Sequence, residues 1–243
     1  MNQREAVIKT MELNGGYATL GFLYENVLKF SEVTWETKTP FASIRRIVQN
    51  KKYFFKIRPG LWALNTHRNK IPFVEENSPK ANESSEGEFS HSYFQGILTE
   101  IGNLKSFETF IPYQDQNKKF LDKPLKTIAS LSKFHEFSYQ NIIDIAKTID
   151  VVWFNNRKFP TTFIEVEHST NFINSLLKFV DLQDFYSSFW IVSPENRKKD
   201  FLNKISRTGF QDIKSRVKFI SYEAAAQLHQ GVVQQKIAEN LII

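Results

Sequence analysis

Two short apolar runs that carry acids constrain this chain most. Ile149-Asp150-Val151-Val152-Trp153-Phe154 and Phe163-Ile164-Glu165-Val166-Glu167-His168 flank Asn155-Asn156-Arg157-Lys158-Phe159-Pro160, a polar link with paired asparagines and a proline. Such punctuation predicts adjacent strands rather than one helix. Alternation along a strand puts Glu165 and Glu167 on one side and Val166 and His168 on the other. If the strands pair, Asp150 joins the acidic side. Carboxylates gathered at the end of a core sheet repel one another and lose hydration, and a hard cation held by oxygen ligands relieves both costs. The expectation is a Mg2+ site, with Mn2+ able to substitute. The plainer alternative sets Glu165 and Glu167 on a solvated strand face with Asp150 at a strand end; against it, acidic residues are depleted in strands, buried ones above all.

Asp150, a hairpin-sized gap, then Glu165-Val166-Glu167 resembles the Asp…Glu-x-Lys signature of the PD-(D/E)XK nucleases, in the Glu-x-Glu variant of some type II restriction endonucleases. The resemblance implies Asp150 and Glu165 as metal ligands, with Glu167 binding a second ion or holding the attacking water. Glu167 stands where the family has lysine, and Lys178, in the next helical segment, is a candidate substitute. Glu100, in the segment of Tyr93, Phe94, Ile97, Leu98, Ile101 and Leu104 at helical spacing, is a candidate supporting metal ligand, with an ordinary exposed glutamate as the alternative. The catalytic candidates are thus Asp150, Glu165, Glu167 and Lys178. The metal candidates are Asp150, Glu165, Glu167 and Glu100. His168 faces away on a regular strand and is read as structural.

Ahead of this lies a different kind of sequence. Ala6, Val7, Met11 and Leu13 predict a helix stopped at Asn14-Gly15-Gly16, and a second helix covers Leu20 to Leu28. Thr39-Pro40 reads as the cap and first turn of a third, with Phe41, Ile44, Ile47 and Val48 on its apolar side. Tyr53 to Ile57 and Leu61 to Leu64, around Arg58-Pro59-Gly60, predict a hairpin. Helices followed by a hairpin make a winged helix-turn-helix, whose third helix can enter the major groove. Between Lys38 and Arg58 there are seven basic residues and no acid. Lys38, Ser43, Arg45, Arg46, Gln49, Lys51, Lys52, Lys56 and Arg58 are therefore the candidate DNA contacts; a basic face on a protein-interaction module is the alternative. The run from Lys38 to Arg46 and the wing from Phe54 to Leu64 resemble the HARE-HTH domain, which implies reading of DNA, with modified bases among the proposed targets.

The 243 residues suffice for more than one core, and the formal charge is +6. Residues 1–66 have ten basic against five acidic residues, 67–90 three against five, and 91–243 nineteen against sixteen. The expected organisation is a winged helix over 1–66, a polar flexible linker over 67–90, and a nuclease-like domain over 91–243. The last is read as α/β, a mixed sheet flanked by helices, with Ser169-Thr170 capping the helix after Glu167. Zero cysteines exclude thiolate metal sites and cysteine nucleophiles. No run long enough for a bilayer and no apolar signal core lead to a cytoplasmic expectation. The function expected is a Mg2+-dependent endonuclease of restriction type acting on double-stranded DNA, as a homodimer because both strands must be cut. A DNA-binding regulator with a silent nuclease-like domain is the alternative, and a repair or mobile-element nuclease on branched or single-stranded DNA is a third reading.

Overall fold

The computed structural model describes residues 1–35, 37–71, 83–169 and 171–240. The chain divides into two compact units, Met1–Ala81 with Ala226–Ile243, and Asn82–Ala225.

The first unit opens with α1 (Gln3–Leu13), capped reciprocally by Asn2 and Glu5: each side chain accepts the other's backbone N–H. Gly15 and Gly16 end it at φ +76° and +91°, backbone that a β-carbon disfavours. Then come β1 (Tyr17–Thr19), α2 (Leu20–Asn26), α3 (Pro40–Val48), β2 (Phe54–Arg58) and β3 (Leu61–Leu64). The strands form an antiparallel sheet in the order β1-β3-β2. Thr39 and Pro40 do start α3, but the Thr39 hydroxyl pairs with that of Thr37 (3.2 Å) and makes no capping bond. Ile44 and Val48 are the buried face of α3. The short β1 had no counterpart in the sequence reading, because three residues carry too little periodicity.

The second unit runs α4 (Glu83–Leu104), β4 (Glu108–Phe110), β5 (Lys119–Phe120), β6 (Lys123–Pro124), α5 (Gln140–Ala146), β7 (Val151–Phe154), β8 (Pro160–Val166), α6 (Phe172–Asp181), β9 (Ser188–Ser193), α7 (Lys198–Ile205) and β10 (Val217–Ser221). Its main sheet has the order β10-β9-β8-β7-β4. β8, β9 and β10 are parallel, while β7 and β4 are antiparallel to their neighbours. Parallel neighbours need crossovers, which α6 and α7 provide. Phe154, Phe163, Phe172, Phe179 and Phe189 are fully buried in the core. A last helix, α8 (Tyr222–Asn240), begins in this unit and from Ala226 belongs to the first. There a β-carbon on Gly21 would come within 2.6 Å of the His229 ring.

The stretch expected as a linker departs from that expectation at its described ends. Asn65–Lys70 is a 3-10 turn and α4 starts at Glu83, so its polar first turns are helical. Such a turn shows no apolar period. Residues 72–82 lie outside the described set. No described helix is long and apolar enough to cross a membrane.

Gly102 of α4 sits where a β-carbon would lie 2.5 Å from Thr109 Cγ2 and 2.7 Å from Trp153 Nε1. Neither neighbour is free to yield, since Thr109 bonds Asn103 and the Trp153 indole donates to the Leu98 carbonyl. Gly102→Ala should therefore destabilise the protein by about 1–3 kcal/mol in urea unfolding, against the helix propensity it gains.

Candidate active site

The β7–β8 register builds the site. Val151 faces Ile164 and Val152 faces Phe163, so Asp150 arrives beside the end of β8. There the Val166 N–H donates to Asp150 Oδ2 at 2.7 Å. The strand's course continues one residue further, with the Glu167 N–H donating to the Val192 carbonyl at 2.8 Å. Glu165 and Glu167 share a side, and Ser175 of α6 bridges them: its hydroxyl lies 3.4 Å from Glu165 Oε2 and in closer contact with Glu167 Oε1. One turn on, Lys178 Nζ donates to Glu165 Oε1 at 2.8 Å and to the Thr148 carbonyl at 3.1 Å. The helix carrying both is capped by Asn171, whose side chain accepts the Ile173 N–H. That corrects the expected Ser169-Thr170 cap; Thr170 is outside the described residues.

The other wall comes from α4 and the turn after β4. His91 Nε2 lies 3.4 Å from Asp150 Oδ1 and 3.8 Å from Asp115 Oδ2. Gln95, one turn along, donates to Asp115 Oδ2 (2.8 Å) and to the Asp150 carbonyl (3.2 Å). Lys118 closes the group at 2.7 Å from Asp115 Oδ1. His91, Asp115 and Asp150 each offer a ligand atom within 4.8 Å of the others.

Burial dominates the electrostatics. Desolvation and the neighbouring Asp150 raise the Glu165 carboxyl to about 8, against the opposing pull of Lys178. Glu167 is raised by its own burial, with the Ser175 hydrogen bond opposing. For Asp115, burial is outweighed by hydrogen bonds from His91, Lys118 and Gln95, which hold it well below the usual carboxylate range. His91 shows the converse: burial works against its charge, but Asp115 and Asp150 carry it up to about 10.

The structure thus brings together Asp150, Glu165, Glu167 and Lys178. Glu100, nine residues after His91, lies about half a turn round α4 from it; like Glu165 and Glu167, it is outside the His91–Asp115–Asp150 group. His168 stacks on Tyr222 with Nδ1 3.3 Å from its hydroxyl. In the first unit, Lys38, Arg45, Arg46, Gln49, Lys51, Lys52 and Lys56 are exposed, and Ser43 and Arg58 are half-buried. Sequence reasoning missed His91, Gln95, Asp115 and Ser175. Ser175 alone left a signal, as a polar residue between Phe172, Leu176 and Phe179 on the apolar side of its helix. A cavity of about 970 Å3 lies at the opposite end of the strands, around Pro160, Ser187 and Arg216. Of the two arginines that line it, Arg216 is committed to the carbonyls of Gln183, Phe185 and Ser187.

Asp150, Glu165 and Glu167 supply carboxylate oxygens of the kind a hard divalent cation takes, while the described ligand atoms that all lie within 4.8 Å of one another are those of His91, Asp115 and Asp150, with Glu165 and Glu167 outside that group. The buried Gln95 Oε1, beside Asp115 and Asp150, has no hydrogen-bond partner among the described residues. These features define an α/β protein with a buried acidic cluster at one sheet edge. A family model described as "Type II restriction enzyme NmeDI C-terminal domain" matches residues 71–242, and the chain belongs to that family. It is also similar to the type II restriction enzyme NmeDI of Neisseria meningitidis serogroup C, 24% identical over 162 residues. That match covers 63% of this chain and 46% of the relative, so the chain spans less than half of that protein's length. No solved structure matches.

The raised acids set a pH signature for the metal-free protein. An unfolded glutamate releases its proton near 4.5, whereas folded Glu165 keeps its proton to about 8. Between those values the folded state binds more protons, so stability falls as pH rises and the fall ends above about 8. His91 adds a second decline, its contribution full below 6.5 and lost as pH rises through about 10. In EDTA, Tm should drop from pH 5 to pH 8 by on the order of 5 °C, and Glu165→Gln should flatten most of the part below pH 6.5. A wild-type profile flat across that window contradicts the burial argument.

Proposed function

We propose that this chain is an endonuclease of restriction type that hydrolyses phosphodiester bonds in double-stranded DNA, with a PD-(D/E)XK site and a Mg2+ requirement that Mn2+ can meet. The observation that carries the reading is the convergence of Asp150, Glu165 and Glu167 with Lys178 at one sheet edge. Asp150 and Glu165 would hold the ion, with Glu167 beside them. A divalent ion so held would polarise the phosphoryl group and lower the pKa of a bound water. Membership of the NmeDI C-terminal domain family supports the substrate class.

The chain's own groups have separable tasks. The Val166 N–H fixes the orientation of Asp150, and Ser175 keeps the two glutamates on one side. Lys178 returns the positive charge that Glu167 displaced, reaching the site from the following helix. Its ammonium would orient the attacking water and offset charge on the phosphate. Burial of the cluster excludes bulk water and strengthens each of these interactions.

The first unit contributes target choice. Its helix order and its β2–β3 hairpin support a winged-helix reading, in which α3 enters the major groove and Arg45, Arg46 and Gln49 meet the DNA. Lys38, Ser43, Lys51, Lys52, Lys56 and Arg58 serve the backbone. Cutting both strands calls for two copies, and a homodimer is the arrangement proposed.

Wild-type protein should cut duplex DNA in Mg2+ and not in EDTA. Glu165→Ala should lower the single-turnover rate by at least about 1,000-fold while the affinity for DNA stays within about threefold of wild type. Lys178→Ala should cost about 100-fold. Binding without products under Mg2+ or Mn2+ would instead support the silent regulator.

A further inference from the structure

The β5–β6 hairpin is tied to the site at its neck, through Lys118, Asp115 and His91. Residues 117–126, Asn-Lys-Lys-Phe-Leu-Asp-Lys-Pro-Leu-Lys, hold four lysines and one aspartate. Lys118, at the neck, is engaged by Asp115. Lys119, Lys123 and Lys126 are exposed. Lys126 touches only a neutral group, donating to Asn117 Oδ1 at 2.9 Å. Among the described residues none of the three has an acidic partner within salt-bridge distance.

The hairpin is held firmly for so small an element. Phe120 stacks on Tyr93 with ring centroids 5.7 Å apart. It fills the space over Gly96, where a β-carbon would come within 2.2 Å of its ring. Leu125 is fully buried, and backbone bonds from Leu125 to Lys118 and from Lys126 to Gln116 close the base. The tip places Leu121 at φ +57°, a left-handed conformation that a β-carbon disfavours. Tertiary anchoring therefore fixes this hairpin where the turn residues alone would not.

Its position is also fixed. Asp115 ties the neck to His91 and through it to Asp150, by contacts of 3.8 and 3.4 Å. A ribbon two residues long extends only roughly 7 Å beyond its base. The lysines thus lie within a few nucleotides of a phosphate at the carboxylates, given about 3.4 Å of rise per nucleotide along a strand. An acidic site repels a polyanion, and fixed cations at its rim offset that repulsion.

We propose that the β5–β6 hairpin is a phosphate-backbone clamp for double-stranded DNA, with Lys119, Lys123 and Lys126 contacting the strand beside the scissile bond. The inference rests on the endonuclease reading and assigns it a surface. These are binding and positioning residues, distinct from the groups that surround the reacting atoms.

The test uses the full chain as Glu165→Gln, with Ca2+ in place of Mg2+ and a fluorescein-labelled duplex whose binding is followed by anisotropy across a salt series. Each phosphate contact contributes about 0.9 to the slope of log K against log salt. Adding Lys119→Ala, Lys123→Ala and Lys126→Ala together should reduce that slope by about 2–3. Lys123→Ala alone, a milder change should the triple variant lose its near-UV circular dichroism, should reduce it by about 1. A control at the far end of the strands, Lys158→Ala with Lys214→Ala and Lys218→Ala, should leave it unchanged. An unaltered slope in the hairpin variants, or an equal fall in the control, overturns the clamp and leaves the endonuclease reading intact. Failure of the Glu165→Gln parent to bind duplex at any salt overturns both.

Discussion

Glu165 is buried to 4% exposure within reach of the charge of Asp150, and a carboxylate in that position must be protonated, paired or bound to a cation. Most of the site can be understood as an answer to that constraint. Lys178 supplies one ion pair, Ser175 and the Val166 N–H supply hydrogen bonds, and His91 places a cation against Asp150. Against them, burial first and the charge of Asp150 second still raise the Glu165 carboxyl. A divalent ion bound by oxygen would act on all of them together.

The strands fix where this happens. Val151 and Ile164 sit opposite each other in the core, and the antiparallel register then leaves no choice about where Asp150 emerges. A slip of one residue would turn Glu165 and Glu167 into the other face of the sheet. Apolar packing of Phe163 on Phe189, and of Phe189 in turn on Phe179, holds β8 in place, so the acids are positioned by residues that have no chemistry of their own. Rigidity of this kind suits a site whose ligands must meet a small ion at short distances.

How much of this could be read from the sequence follows from where the information lies. β7 and β8 were legible because apolar runs with embedded acids are rare, and their pairing was legible from the short polar link. The reach of Lys178 was open on spacing alone, since it depends on the angle at which α6 leaves the sheet. Asp115 could not have been found: it lies in a turn with no periodicity and meets Asp150 only through the fold. Glu100 shows the reverse, a residue of the right type on the right helix whose phase carries it away from His91. Helix α8 lacked a clear apolar stripe, and its passage from one unit to the other had no local signal.

Carboxylates that form a cation site bind the ion directly, without substrate. Titration of the protein with Mn2+, with free ion followed by electron paramagnetic resonance, should show at least one bound ion per chain at free Mn2+ below about 1 mM. The Asp150→Asn, Glu165→Gln double variant should leave that ion free while retaining the wild-type near-UV circular dichroism. Equal Mn2+ binding by the folded double variant, or none by the wild type, would contradict the account.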